Sequence, residues 1–301
     1  MLPSVSVIIP THNRPDLLKK AISSVLEQTY DVNEIIVVDD TDSIQTEKTI
    51  KEFNISKIKY FYNSTGKGAC SSRNLGAKKA SSEFIAFLDD DDLWVKDKLK
   101  EQMLLSHNHS AIFTRLCINY EGTNLKYSTR GKVPKNPLKE ICLENFIGGT
   151  ISCMISREIF LSLGGFDERF PAREEYDLWI RIISNNYKIA IVEKPLAIAN
   201  RTLNKRERIS SNISNYELAI NLLNEKHKDL IDNILTNKEK LYRKSLQYNF
   251  LAAQAVSISL KKVSFKYYLK SFIIKPNPKT LTLAFLSIIS PNIVIKLRSL
   301  I

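Results

Sequence analysis

Four consecutive aspartates, at positions 89–92, directly follow an apolar run at residues 84–88. The run predicts a buried strand, so the carboxylates stand close together at a partly desolvated strand end, where they repel one another. A divalent cation relieves that repulsion, and carboxylate oxygens suit Mg²⁺ or Mn²⁺, which also take water and substrate phosphates as ligands. The alternative is an acidic turn that caps a helix starting near Trp94, since aspartate is favoured at helix starts.

Two further polar stretches follow predicted strands. The strand predicted at residues 5–9 leads into a loop at 10–14, and the strand predicted at 34–38 ends in Asp39 and Asp40. Parallel strands present their carboxyl ends at one edge of a sheet, where ligands bind. We therefore expect these loops and the four aspartates to converge. Without the other motifs, Asp39 and Asp40 would indicate no more than a turn at a strand end.

A second acidic group occurs at residues 173–179, where Glu174, Glu175 and Asp177 precede apolar positions with helical spacing. A carboxylate there could act as a general base by taking the proton of an attacking hydroxyl. The alternative is a helix start whose acids favour the positive end of the helix dipole.

The chain that must position these residues has 301 residues and alternates predicted strands with predicted helices over its first third. This alternation predicts an α/β fold with a doubly wound, mainly parallel sheet and helices on both faces. From about residue 210 only helical patterns remain. We expect a domain at residues 1–210, with a nucleotide-binding part at 1–95 and an acceptor-binding part at 96–210, and a basic helical extension at 211–301.

The net charge of +12 comes from the C-terminal third, since residues 201–301 hold 18 basic and 6 acidic side chains. The extension is also strongly apolar, which favours an anionic membrane surface over nucleic acid as its partner. Its longest uncharged apolar run is shorter than the roughly 20 residues that span a bilayer. No signal peptide is apparent at the N-terminus. We therefore expect a cytoplasmic protein that lies on the inner face of the cell membrane, unless the last segment packs on the preceding helices instead.

Four motifs in order carry a family resemblance. Residues 5–15 read VSVIIPTHNRP, residues 35–40 IIVVDD, residues 73–76 RNLG and residues 87–94 FLDDDDLW. Together they resemble family 2 glycosyltransferases with the GT-A fold, of the type that builds bacterial polysaccharides and O-antigens. The resemblance covers about residues 3–200. Residues 173–179, REEYDLW, resemble the family's base motif, except that Glu175 stands where the family usually has aspartate.

The resemblance implies roles for particular residues. Asp39 would accept the N–H of the nucleotide base, Arg73 would approach the diphosphate, Asp91 would bind the metal, and Glu175 would be the base. The residues it assigns to the nucleotide are Pro10, Thr11, His12, Asn13, Arg14, Asp39, Asp40, Arg73, Asp89 and Asp90. Asp91 and Asp89 are its metal ligands, and Glu175, Glu174 and Asp177 form its catalytic group.

The implied activity is inverting, Mn²⁺- or Mg²⁺-dependent transfer of a hexose from a nucleotide sugar, for which a UDP-sugar is expected. The expected acceptor is a saccharide on a polyprenyl diphosphate, as in O-antigen, capsule or exopolysaccharide assembly, because the tail favours membranes. A basic loop (Arg201, Lys205, Arg206, Arg208) is expected either to cover a diphosphate or to stay solvated. Two alternatives remain: a non-catalytic, membrane-docked protein that binds nucleotide sugars, and a nucleotidyltransferase on a similar fold.

Overall fold

The computed structural model describes residues 3–66, 68–202 and 212–299. Its first part is a parallel sheet in the order β3-β2-β1-β4, with connecting helices. The elements of this part are β1 (Val5–Thr11), α1 (Pro15–Leu26), β2 (Glu34–Asp39), α2 (Ile44–Phe53), β3 (Ile58–Tyr62), α3 (Ala69–Lys79) and β4 (Phe84–Phe87). The carboxyl ends of β1, β2 and β4 lie side by side, as the sequence predicts.

The same sheet continues from β4 through the second part of the chain in the order β8-β6-β9-β5, and β7 pairs with β6. The β6–β9 pair is parallel and the β4–β8 pair is antiparallel. The elements are β5 (Leu93–Trp94), α4 (Lys98–Met103), β6 (Ala111–Glu121), β7 (Lys126–Ser128), α5 (Pro137–Leu143), a 3₁₀ turn (Thr150–Ser152), β8 (Met154–Ser156), α6 (Arg157–Ser162), α7 (Glu174–Ser184) and β9 (Ile189–Thr202).

Apolar side chains cover both faces of the sheet, because successive residues of a strand point to opposite sides. On β1, Val7 and Ile9 belong to one buried cluster, which α1 joins through Leu18 and Ile22. Ile8 belongs to the other cluster, together with residues of α3 and α7. This confirms the predicted fold class, a mixed α/β sheet with helices on both faces.

Two local predictions were wrong. The strand predicted to end at Ile9 runs on to Thr11, so Pro10 and Thr11 are buried strand residues and the loop starts at His12. No helix starts near Trp94: Leu93 and Trp94 pair with Ala197 and Ile198 of β9, and the helix begins at Lys98. The pairing partner lies about a hundred residues further along the chain, where no local pattern indicates it.

The chain after residue 211 is helical, as predicted. Its helices are α8 (Ile213–Lys226), α9 (Lys228–Ile234), α10 (Asn237–Ser257), α11 (Lys261–Ile274), α12 (Pro278–Ile289) and α13 (Pro291–Ser299). All of them except α9 share an apolar cluster that also includes Tyr120 of β6, so these helices pack on the end of that strand. Ile231 of α9 packs instead with Cys142 and Leu143 of α5. The proposed domain limits stay a prediction. Within the described part of the chain, no helix is both long enough and apolar enough to cross a bilayer.

Candidate active site

The four aspartates after β4 point to different partners. Asp89 accepts a hydrogen bond from Arg73 at 2.5 Å, and Asp92 accepts one from the backbone N–H of Asn200 on β9 at 2.8 Å. Asp92 is 2% exposed, and burial raises its pKa well above the usual range. It therefore fixes the acidic loop to β9, and the alternative in which the acidic run caps a helix near Trp94 was wrong.

The two middle aspartates face the loop after β1. Asp90 accepts hydrogen bonds from the Thr11 hydroxyl at 2.8 Å and from Arg14 at 3.2 Å, and Arg14 also lies 3.5 Å from Asp91. Burial raises the pKa of Asp90 to about 6, although Arg14 and Thr11 oppose that shift. Arginine side chains thus compensate part of the charge of the acidic run, which the sequence argument for a metal did not predict.

Arg73 joins the acidic loop to the second acidic group. Its guanidinium donates to Asp89 at 2.5 Å and to Glu174, at the first position of α7, at 2.9 Å. Burial alone would lower the pKa of Arg73, but the two carboxylates raise it. Since Arg73 is only 4% exposed, its main contacts are these two carboxylates, and its predicted contact with a diphosphate stays a prediction.

Glu175 follows Glu174 in the first turn of α7 and is partly buried. Burial and the neighbouring Glu174 raise its pKa to about 7, while Arg173 and Arg73 oppose the rise. The side-chain amide of Asn145 lies 3.5 Å from its carboxylate and holds the loop at 145–148. A carboxylate with a pKa near neutrality can accept a proton, as a general base must.

The environment of Asp177 differs from that of Glu175. It is fully buried and lies 2.8 Å from Lys226, His227 and Arg181 through its two oxygens. Burial would raise the pKa of Asp177, but these cations and the His227 hydrogen bond lower it. This arrangement fixes α7 to the end of α8. We therefore infer a structural role for Asp177 rather than the catalytic role expected from the sequence.

The loops predicted to border the nucleotide meet beside the acidic run. His12 lies 2.6 Å from Asp40, which also accepts the backbone N–H of Gly68 at 2.7 Å. Asp39 is fully buried, and its oxygens accept hydrogen bonds from Thr41 and Ser43 in the following turn. The contact predicted between Asp39 and the nucleotide base stays a prediction.

Asn13 is exposed in the loop between β1 and α1, where it adopts a positive φ of 49°. Its side-chain oxygen lies 3.4 Å from the Ser43 hydroxyl. The loops after β1 and β2 are therefore in contact, which places the predicted nucleotide residues of both loops on one side of the acidic run. Of the basic loop predicted over the site, only Arg201 is described: it lies 3.8 Å from Asp92, and Lys205, Arg206 and Arg208 lie outside the described residues.

The donor set fits a metal held mainly by substrate and water. Asp89 and Asp91 have the most exposed side chains of the acidic run, at 32% and 16%. The described residues contain no group of three or more acidic, histidine or cysteine side chains arranged to hold a metal ion. Mg²⁺ is commonly bound by one or two carboxylates together with water and phosphates, which is what Asp91 and Asp89 would offer.

Several residues near the site carry roles that the sequence did not indicate. Asn74 binds both the N–H and the C=O of Phe166 and so holds the turn before α7. Asn200 binds the loop of Asp91 and Asp92, and Asn145 approaches Glu175. Asn74 directly follows Arg73 in a quoted motif and could have been noted, whereas Asn145 and Asn200 acquire their roles only through strand pairing and loop packing.

Comparison with known proteins identifies relatives of the chain. Residues 6–164 match the family model described as glycosyl transferase family 2. A UDP-Glc:α-D-GlcNAc-diphosphoundecaprenol β-1,3-glucosyltransferase of Escherichia coli, WfgD, is 37% identical over 190 residues, which are 62% of this chain and 72% of that protein. A GalNAc(5)-diNAcBac-PP-undecaprenol β-1,3-glucosyltransferase of Campylobacter jejuni is 30% identical and covers 99% of this chain and 98% of its own.

Solved structures show the same fold. The S. aureus TarS fragment 1–349 in complex with UDP-GlcNAc superposes with a TM-score of 0.58 at 18% identity and covers 93% of this chain and 90% of its own. The mannosyltransferase PcManGT from Pyrobaculum calidifontis, in complex with GDP-Man and Mn²⁺, gives 0.57 at 16% identity and covers 100% and 88%.

The fold and the family match define a glycosyltransferase with the GT-A fold. The chain belongs to glycosyl transferase family 2. This membership confirms the resemblance seen in the four sequence motifs and removes the nucleotidyltransferase alternative.

Proposed function

We propose that the protein transfers glucose or a similar hexose from a UDP-sugar to a saccharide on a polyprenyl diphosphate, with inversion at the anomeric carbon. The observation that carries the proposal is the Arg73 bridge, which holds the acidic loop and the first turn of α7 together through Asp89 and Glu174. A donor diphosphate at the acidic loop and an acceptor hydroxyl at Glu175 would then lie within one site. The two glucosyltransferase relatives support the choice of substrates.

Different side chains of the protein have different roles in the proposed reaction. Glu175 takes the proton of the acceptor hydroxyl as that oxygen attacks the anomeric carbon. Arg14, whose side chain is 40% exposed beside Asp90 and Asp91, provides a cation near the departing diphosphate. A bound Mn²⁺ or Mg²⁺ at Asp91 and Asp89 would supply further positive charge for that leaving group.

The test is product formation by the purified protein with Mn²⁺, UDP-glucose and a GlcNAc-diphosphate lipid, detected by mass. We expect one hexose to be added, EDTA to abolish the addition, and Asp91→Asn to reduce it at least about a hundredfold. The control is Asp31→Asn, which removes a carboxylate that is 91% exposed and far from the acidic run in sequence. Full activity of Asp91→Asn, or binding of the donor without any transfer, would contradict the proposal, and the second result would support the non-catalytic alternative.

We also propose that the last helices bind an anionic membrane surface. The outer side of α12 and the start of α13 expose Phe285, Ile288, Ile289 and Ile293 at 43–67%, and we name these four residues the apolar tail patch. Lys261 lies at the patch, donating to the Ile289 carbonyl at 3.2 Å. From Leu241 onwards the sequence contains ten basic and no acidic residues, so charge favours anionic lipids as the partner.

Sedimentation with vesicles tests this surface. We expect the protein to bind vesicles that contain phosphatidylglycerol, to bind neutral phosphatidylcholine vesicles less, and to lose binding when Phe285 and Ile289 are both replaced by serine. Leu104→Ser is the control, because Leu104 is 71% exposed but lies in the α/β part. Unchanged vesicle binding by the double variant would contradict the membrane role.

A further inference from the structure

Arg173 lies directly before α7 and, within the described residues, is held by aromatic rings and not by an ion pair. Its backbone adopts a left-handed conformation at φ 60°, ψ 25°, which is uncommon for a residue other than glycine. The guanidinium carbon lies 3.9 Å from the ring centre of Phe250 and 4.8 Å from that of Tyr176. Within the described part of the chain Arg173 forms no ion pair, and its Nε has no hydrogen-bond partner.

Removing the Arg173 guanidinium from water costs free energy. Burial lowers the pKa of Arg173, and the nearby Tyr176 and Glu175 offset only part of that effect. The other arginines of α7 and its preceding turn are paired: Arg181 binds Asp177 and Arg169 binds Asp167. The two rings pack against the Arg173 guanidinium, and its N–H groups, of which Nε–H has no partner among the described residues, are available to bind an anion.

Arg173 and Glu174 are adjacent in sequence but have different partners. Glu174 turns to Arg73, whereas Arg173 stacks on Phe250 of α10. Tyr216 of α8 packs edge-on against Phe250 at 5.4 Å. Burial and the charge of Glu175 raise the pKa of Tyr216 to about 12, which shows that Tyr216 is near the proposed base as well. Aromatic rings of the C-terminal helices thus line the region beside Glu175.

We propose that Arg173 binds the diphosphate of the lipid-linked acceptor and thereby positions the reacting sugar against Glu175. The inference rests on the proposed function, which supplies the acceptor and assigns the donor diphosphate to the acidic loop. A planar guanidinium can bind two phosphate oxygens at once, and here two aromatic rings hold it in place. Because Arg173 lies two residues from Glu175, the acceptor would carry its reacting sugar directly on the diphosphate.

Calorimetry without donor tests the contact independently of turnover. The probes are GlcNAc-diphosphate carrying a farnesyl chain and the octyl glycoside of GlcNAc, which lacks phosphate. For Arg173→Gln we expect at least about tenfold weaker binding of the diphosphate probe and unchanged binding of the octyl glycoside. Arg173→Lys keeps the charge without the planar fork, so its affinity for the diphosphate probe should lie between those of wild type and Arg173→Gln. This variant preserves the test if Arg173→Gln folds poorly. Arg169→Gln is the control, since Arg169 is exposed and bound to Asp167.

The outcomes separate the two proposals. Equal affinity of wild type and both Arg173 variants for the diphosphate probe overturns the inference. Equal loss of both probes also overturns it, because it indicates that Arg173 only shapes the pocket. A pH–rate profile provides a further check: if Arg173 acts only through Glu175, its replacement moves the acidic limb with both acceptors and leaves binding unchanged. Tight, Arg173-dependent binding of the diphosphate probe without any sugar transfer would contradict the proposed function and not this inference.

Discussion

Glu175 and Arg73 show how single side chains set the chemistry of this site. Glu175 is partly buried next to another carboxylate, and this environment raises its pKa to about 7. The adjacent Glu174 is instead neutralised by Arg73 at 2.9 Å. Two neighbouring glutamates therefore have different partners, which allows Glu174 to hold the site together while Glu175 exchanges a proton.

At this scale we predict the pH dependence of transfer. A general base works when it is ionised, so kcat/KM should rise with pH up to about 7 and level off above that value. Glu175→Gln should lower kcat by about 10²–10⁴-fold and remove the pH-dependent rise. Initial rates between pH 5 and 9 measure both effects. Glu158→Gln, which changes an exposed glutamate in the first turn of α6, should leave the profile unchanged.

The elements around the site are held by buried polar contacts. Helix α3 presents Arg73 to the acidic loop and, one residue later, Asn74 to the backbone of Phe166. Helix α7 is fixed at its first turns by Asp177, whose carboxylate meets cations from both α7 and α8. The position of Glu175 thus depends on contacts made on the opposite side of its own helix.

For α7 we predict that Asp177→Asn lowers the free energy of unfolding by about 3 kcal/mol, because it leaves buried cations without their partner. The pKa of Asp177 is lowered in the folded state, so its contribution is present above about pH 4 and is lost at lower pH. Denaturant unfolding at pH 7 and pH 3 measures the difference between wild type and variant, which should shrink at the lower pH. A constant difference at both values would contradict this explanation. Asp229→Asn, at an exposed position of α9, is the control.

On the scale of the whole molecule, the C-terminal helices are joined to the α/β part through α10. Arg243 of α10 is 4% exposed and donates to the Cys142 carbonyl, to Tyr176 of α7 at 3.2 Å and to Asn224 of α8. Two helical turns further along α10, Phe250 stacks on Arg173. The extension is therefore in contact with the helix that carries the proposed base, so its folding and the geometry of the site are coupled.

We predict that Arg243→Met lowers the free energy of unfolding by about 2 kcal/mol, because buried acceptors lose their donor. It should also reduce transfer although no substrate touches Arg243, since α10 supports Arg173 and Tyr176. Thermal unfolding and initial rates check the two effects. Lys244→Met alters the next, exposed residue and should change neither. Loss of stability with full transfer at a temperature where the variant is folded would contradict the coupling.

Local patterns in the sequence determined the first part of the fold. Short apolar runs predicted β1, β2 and β4, although β1 extends two residues beyond its run. The predicted strand ends also indicated which loops gather at the sheet edge, because parallel strands end at the same edge. These features depend on hydrophobic period and turn chemistry within about ten residues, and a single sequence carries that information directly.

Only the tertiary structure decided how the aspartates are used. Asp89 meets Arg73, Asp90 meets Thr11 and Asp92 meets β9, and each partner is at least 16 residues away. The burial of Asp177 and the stacking of Arg173 on α10 likewise depend on packing between distant helices. An acidic run has the same local pattern whether metal, arginine or backbone N–H groups compensate its charge, because the compensating groups are brought near only by the fold.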